Sequence, residues 1–420
     1  MLFRPLWVMR GDPYTLCRMN RRHLISLLAA SALKGEAAPI RRLTNQPGFH
    51  WFGYYDKLQF DPSGRFVLGQ QVSFEHRSPT ADDEIRIGVI DTQDNDRWRE
   101  IGRTRAWNWQ QGSMLQWLPK SQSKLMWNDR VGNQFVCRIF DIANNKMETI
   151  PTPVYNLSPD GKYGIAPDFR RLNDCRPGYG YAGIPDPNRD KLVPDDAGLW
   201  RIEMKSGKQK LLIPFSAAVA VPNRKPYSKG AKHWFNHLLF SPDSERFIFL
   251  HRWRGEKEGK GFSTRMFTAN KDGLDLYNLD PYGKTSHFIW RDPQSVLAWA
   301  WHPIEGSERF FLYRDKTEKV EVIGRDVMTV NGHCAYLPGN RWILNDTYPG
   351  KDRLQHLYIY EVSSGKRVPI ADLLSPAEYA GEWRTDLHPR FSPDGKKLCI
   401  DSTHESLGRQ LYLVDIGALV

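Results

Sequence analysis

Short apolar runs punctuated by proline–glycine turns recur along most of the chain. The clearest is Leu387-His388-Pro389-Arg390-Phe391-Ser392-Pro393-Asp394-Gly395-Lys396-Lys397-Leu398-Cys399-Ile400, which predicts a strand, a tight turn and a second strand. Ser-Pro-Asp-Gly is turn chemistry, since Pro presets φ at the second position and Gly takes the positive φ that ends the turn. The unit returns at His237–Asp243 and at Val154–Gly161, with looser copies at Leu58–Gly64, Leu115–Pro119, His287–Pro293 and His333–Gly339. Seven copies at roughly 40–60-residue intervals match the period of propeller blades. The predicted fold is all-β, a seven-bladed β-propeller.

Each blade follows one grammar: an inner strand, a turn, a second strand, a polar loop, then outer strands. Blade one begins at Phe49-His50-Trp51-Phe52-Gly53-Tyr54-Tyr55-Asp56-Lys57 and continues with Phe66–Val72, Arg86–Asp91 and Trp98–Gly102. Two loops exceed the rest, Asn173–Asp196 (with Arg176 and Tyr179) and the Lys/Pro-rich Pro222–Lys232. Loops of that size in a compact fold tend to carry function.

In a propeller the start of the innermost strand and the loop after the second strand share one mouth. Four residues before the turn Ser, or its equivalent, stand His237, His287, His333 and His388 in consecutive blades; blades one to three have Lys57, Met114 and Val154 instead. Four imidazoles aimed into one channel predict a divalent metal, with Zn, Mn or Ca as candidates. The bland alternative is that each His caps its blade on a neighbour's backbone. The second-strand loops add His76, Arg77, Arg130, Arg170, Arg171, His251 and Arg252, with Asp346 and Tyr348 in blade six. Any one such Arg could be a solvated surface charge. Recurring at one loop, guanidiniums fit carboxylate or sulfate recognition, because the planar fork binds such groups bidentately.

Tyr155 heads the inner strand of blade three and Arg171 ends its second strand, so the hairpin should bring both to the mouth. There Arg would neutralise a uronate carboxylate and acidify the neighbouring proton, and Tyr, or a nearby His, would move that proton. A tyrosine at a strand start can equally be packing.

Composition narrows the partner. The net charge of +11 favours an anionic one, and the chain shows no recognition-helix pattern for nucleic acid. No internal run approaches the roughly 20 apolar residues of a membrane span. The start is different in kind: Met19-Asn20-Arg21-Arg22-His23, then Leu24–Leu33, then small residues, a pattern that predicts an export signal over 1–40 ahead of one propeller domain over 45–420. The five Cys show no CxxC pair and no framework spacing. An exported monomer that binds an acidic polysaccharide or oligosaccharide is the expectation, with neither nucleic acid nor membrane as partner.

The motifs His-Trp-Phe-Gly-Tyr-Tyr-Asp-Lys (50–57), Trp-Asn-Trp-Gln-Gln-Gly (107–112), His-Trp-Phe-Asn-His (233–237) and Asp-Leu-His-Pro-Arg-Phe-Ser-Pro-Asp-Gly (386–395) carry a resemblance. With the leader and the blade grammar, the chain resembles a group of exported seven-bladed propellers that includes ulvan lyases and enzymes cleaving rhamnosyl-glucuronate caps. It is more distantly similar to oligogalacturonate lyases, whose channel holds histidine metal ligands. The resemblance implies β-elimination on uronic-acid-containing glycans of the ulvan or rhamnose–glucuronate type. It implies a Tyr and an Arg sixteen residues later as catalytic residues, which Tyr155 and Arg171 match, with His76 in support. Gln110 and Gln111 stand where the lyases carry a His on blade two; with Arg77, Arg130, Arg170, His251, Arg252 and Tyr179 they would shape the substrate site. The hydrolase branch implies a different catalytic His, for which His50 is the candidate. Three functions therefore remain in play: a lyase, a glycoside hydrolase of the rhamnose–glucuronate type, and a non-catalytic glycan-binding propeller.

Overall fold

A computed structural model describes residues 38–420; the leader expected over 1–40 lies almost wholly outside them. The chain forms seven four-stranded antiparallel sheets, the blades of a β-propeller. Blades one to six each use four consecutive strands: 49–104, 116–150, 156–214, 232–283, 285–323 and 335–374. The seventh is assembled from both ends of the described chain. Strands Arg390–Phe391, Lys397–Ser402 and Gln410–Asp415 accept Ile40–Arg42 as their outer strand, with Arg41 opposite Leu413. Ring closure thus rests on a strand ahead of residue 45, and the propeller unit runs from Ala38 to Val420.

Burial explains the sequence pattern. Middle strands are covered on both faces by neighbouring blades, so Arg246–Arg254 reads Phe-Ile-Phe-Leu with no alternation, as doubly buried strands do. Outer strands face solvent, and four of the five residues of Lys146–Ile150 are exposed. Indoles fill the wedge between blades one and two, where Trp51, Trp107 and Trp109 lie with ring centroids 5.1–5.7 Å apart. The Ser-Pro-Asp-Gly turns close as expected: Ser392 Oγ bonds Asp394 at 2.5 Å, and the Gly395 N–H donates to the Ser392 carbonyl at 2.8 Å.

Blade one departs from the grammar, and the departure builds the channel. Its inner strand, Phe49–Trp51, pairs only with the far end of 66–72, and the chain rejoins the sheet at the Phe60–Val67 bridge. Between them, Phe52–Lys57 leaves the blade and enters the propeller axis. Gly53 permits the exit: its φ is +122°, and a Cβ there would meet the Gln111 backbone at 2.8 Å. Asp401 of blade seven holds the departing segment, accepting from the Phe52 and Gly53 amides at 3.1 and 3.3 Å and from Arg390 at 2.8 Å.

Candidate functional site

All four register histidines face the axis, against the inserted segment. Tyr54 packs on His237 and His388, with centroids 4.8 and 5.2 Å apart, and Tyr55 on His333 at 5.2 Å. Backbone irregularity aims two of them. His237 sits in a bulge at φ 50°, where pairing skips from Asn236 to Leu238, and His388 has φ 43° ahead of its Pro. The four do not form one cage. His237 stacks on Phe288 at 3.9 Å and turns Nε2 to Asp56 at 3.2 Å. Lys57 completes a buried charge row, 3.0 Å from Asp56 and over the Tyr155 ring at 4.4 Å.

The cluster that could hold a metal is His333, His388 and Asp386, all buried, with one ligand atom from each within 4.8 Å of the others. His333 Nε2, His388 Nε2 and Asp386 Oδ1 are buried without hydrogen-bond partners among the described residues, so each could serve as a ligand atom. Asp346 orients the set. It accepts His333 Nδ1–H at 2.9 Å, which leaves Nε2 as the lone-pair nitrogen, and takes the His388 amide at 3.1 Å. Two imidazoles and a carboxylate fit a divalent cation of the Zn or Mn kind. His287 abuts the cluster, its ring 4.1 Å from that of His333, with Nδ1 on Asn331 at 3.0 Å. Burial keeps His237, His287 and His388 below the ordinary histidine pKa, so they stand neutral.

Beyond His287 and Tyr348, which pack on His333, lies a cavity of about 190 Å³ lined by these two and Tyr54 and by Arg176, Arg252 and Phe262. Tyr179 also lines it. Its Oη accepts from Arg384 Nη2 at 2.8 Å, and the Arg176 guanidinium covers its ring at 4.0 Å. Burial alone would push this phenol up; Arg384 and Arg176 outweigh it and bring the pKa below the usual tyrosine value. Arg384 in turn binds Asp386 Oδ2 at 2.8 Å, which ties the phenol to the cluster through one guanidinium. A larger cavity of about 320 Å³ between 133–135 and 166–170 has no buried, unpartnered side-chain polar atom among its lining residues.

The expected pair of Tyr155 and Arg171 does not meet at an open mouth. The second strand stops at Ala166, and a helix, Phe169–Cys175, capped by the Asp168 carboxylate, turns Arg171 inward. Its guanidinium is fully enclosed by Asp186 at 3.2 Å and the carbonyls of His233, Asn188, Lys191 and Leu192 at 2.8–2.9 Å. Tyr155 is buried, takes a bond from Gln111 Nε2 at 2.7 Å, and burial, with Asp56 and Tyr54, drives its pKa well up. Arg77 is spent on Asp83, Arg170 on Asp168, and Arg130 on the Ala81 carbonyl. His76 is exposed against Tyr379, and Gln110 Nε2 binds the Glu382 carbonyl at 2.9 Å. His251 pairs with His233 at 2.8 Å inside blade four. His50 lies between blades one and seven, on Gln410 at 3.0 Å and edge-on to Trp98, away from both mouth and channel. Of the loop residues expected to touch substrate, Arg252 and Tyr179 reach the cavity. Asp386 was missed: it lies in the irregular segment ahead of Arg390–Phe391, where no strand pattern marks its direction.

No protein-family model matches the chain, and no curated protein matches it in sequence. Solved structures do. An oligogalacturonate lyase from Vibrio parahaemolyticus superposes with a TM-score of 0.64 at 14% identity, over 92% of this chain and 94% of that one. An oligogalacturonate lyase in complex with manganese gives 0.63 at 16%, over 91% and 94%. At such identities the likeness establishes the shared propeller fold.

Proposed function

We propose that this protein is a metal-assisted lyase that cleaves an acidic oligosaccharide by β-elimination at a uronate. One observation carries the reading: three unpartnered ligand atoms, of His333, His388 and Asp386, are joined through His287 and Arg384 to a cavity lined by a tyrosine held between two guanidiniums. The manganese bound by the structurally similar lyase supports a divalent ion here. His333, His388 and Asp386 would hold such a cation, which would supply Lewis-acid charge for the carboxylate chemistry of elimination. Arg384 keeps the Tyr179 oxygen in place and favours its ionised form. Tyr179 Oη takes the proton as the ring carbon–oxygen bond to the leaving sugar breaks and a carbon–carbon double bond forms. The phenol so formed then returns the proton to the leaving oxygen. His287 and Tyr348 wall the inner side and exclude water from it.

Hydrolysis fits less well. A glycosidase needs two placed carboxyl groups, and the only carboxylate among the cavity's lining residues is Glu308, engaged by Lys284 at 3.5 Å. Assay of the manganese-loaded protein on oligogalacturonates, ulvan and rhamnosyl-glucuronate glycans decides the matter. Ultraviolet absorbance of an unsaturated uronate, lost in Tyr179→Phe, is the expected result; reducing ends without that chromophore would sink the lyase reading. Export of the chain, expected from its leader pattern, is proposed alongside as the route to such substrates.

A further inference from the structure

A guanidinium buried without a counter-charge is costly to the fold, and proteins pair such groups almost without exception. Arg252 is 6% exposed, yet its Nε and Nη1 have no hydrogen-bond partner among the described residues. Arg176, on the same cavity wall, leaves Nη1 buried and unpartnered as well. Neither forms an ion pair among the described residues. Aromatic faces hold both in place instead: Phe262 lies 4.9 Å from the Arg252 guanidinium and 4.6 Å from that of Arg176. The contrast with Arg254, two residues along the same strand, is direct, since it gives Nε to the Gly261 carbonyl at 2.8 Å and Nη1 to that of Cys175 at 3.1 Å. Arg252, desolvated, and Arg176, half-buried with its Nη1 enclosed, are therefore held in place and unspent, and they line the cavity that ends on His287.

We propose that Arg176 and Arg252 form an anion subsite separate from the His333–Asp386–His388 cluster, which takes the acidic group of the sugar next to the reacting uronate. The proposal rests on the lyase reading and deepens it: the ligand is an oligosaccharide with anions on consecutive residues, one over the cluster and one between the two guanidiniums. The planar forks match the oxygens of either a neighbouring carboxylate or a neighbouring sulfate ester. A single acidic sugar can satisfy only one of the two positions.

Calorimetric titration of the full-length, manganese-loaded protein tests this with four defined sugars. These are galacturonate, digalacturonate, rhamnosyl-glucuronate, and the same disaccharide with a sulfate ester on rhamnose. The expected result is that one of the two dianionic disaccharides binds about 10–100-fold more tightly than the monoanionic sugars. Digalacturonate in that place identifies a carboxylate, and the sulfated disaccharide a sulfate. Arg252→Gln and Arg176→Gln should each bring that ratio close to unity, and the partly exposed Arg176 provides a second variant should the first not fold. A wild-type ratio near unity, a ratio unchanged in both variants, or no binding of any of the four overturns the subsite. Turnover is read separately. Arginine-dependent binding with no unsaturated uronate formed would remove the lyase reading and leave the subsite; elimination that persists while the dianionic disaccharides bind no more tightly than the monoanionic sugars would do the reverse.

Discussion

The mouth of the propeller has two halves built from the same residue types and put to opposite ends. Over blades one to three most of the mouth arginines are spent on carboxylates, Arg77 on Asp83, Arg170 on Asp168 and Arg171 on Asp186, with Arg176 the exception. The loop 376–386 lies across this half, where Trp383 and Glu382 offer carbonyls to Arg409 and Gln110. Over blades four to seven, the His333, His388, Asp386 and Arg252 side chains are equally buried and hold polar atoms with no partner. Burial of a polar group is expensive unless it is satisfied, so a fold that leaves several unsatisfied in one place has reserved them for something it binds. Richness in Arg and His does not separate the halves. Their grouping does: His333, Asp386 and His388 bring unpartnered ligand atoms together, whereas the unpartnered atoms of blades one to three, on Asn108, Gln111 and Arg176 among others, form no such cluster among the described residues.

The largest effect that would break this comparison is loss of the cluster. Asp386→Asn or His333→Gln should abolish elimination and bound metal together, and a chelator should match them in the unsubstituted protein. Asp346→Asn, which removes support and no ligand, should cost roughly 10–100-fold in metal affinity or rate. Metal content by mass spectrometry beside the ultraviolet assay reads both; full activity in metal-free Asp386→Asn would refute the assignment.

Next come the two tyrosines. Tyr179→Phe should cost roughly 10²–10⁴-fold in kcat with the fold intact, the usual contribution of a positioned proton carrier. Tyr155→Phe removes one buried hydrogen bond, from Gln111, and should cost about 1 kcal/mol of stability with little change in rate. The pH profile gives the sign. A base acts in its ionised form, so the rate should rise with pH through the Tyr179 pKa. That limb should lie below the roughly pH 10 of an ordinary tyrosine, because Arg384 and Arg176 favour the phenolate over the burial that opposes it. Arg384→Gln should move the limb to higher pH. A limb that stays put would take Tyr179 out of the reaction.

How much of this the chain announces follows from how local each signal is. The turns are legible because Ser-Pro-Asp-Gly determines its own backbone, and the histidine register is legible because it is counted from those turns. Asp386 was not, because it sits in irregular backbone before Arg390–Phe391, where no strand period reports the direction of a side chain. The closing strand Ile40–Arg42 was not, since three residues with two arginines carry no strand pattern and pair only because Gln410–Asp415 has an open edge. The fate of each arginine was hidden for the same reason. Arg171 and Arg252 read alike in sequence, both towards the end of a second strand, yet Arg252 stays within Arg246–Arg254 while Arg171 turns into a helix and meets Asp186 fifteen residues on and a loop that folds back over it. Partnership is a property of the folded chain.

The pair of arginines also gives the finest test, because the comparison assigns them stability effects of opposite sign. Removing Arg171 leaves Asp186 buried and alone and four carbonyls without their donor, so Arg171→Met should destabilise by about 3–5 kcal/mol or prevent folding. Arg252→Met strands no partner. It replaces a desolvated, unpaired cation with an apolar side chain that can still lie on Phe262, and should stabilise by about 1 kcal/mol, at the expense of binding. Chemical denaturation of the two variants beside the unsubstituted protein measures both. If Arg252→Met proved as damaging as Arg171→Met, Arg252 would be an ordinary structural arginine, and the difference between the two halves of the mouth would vanish with it.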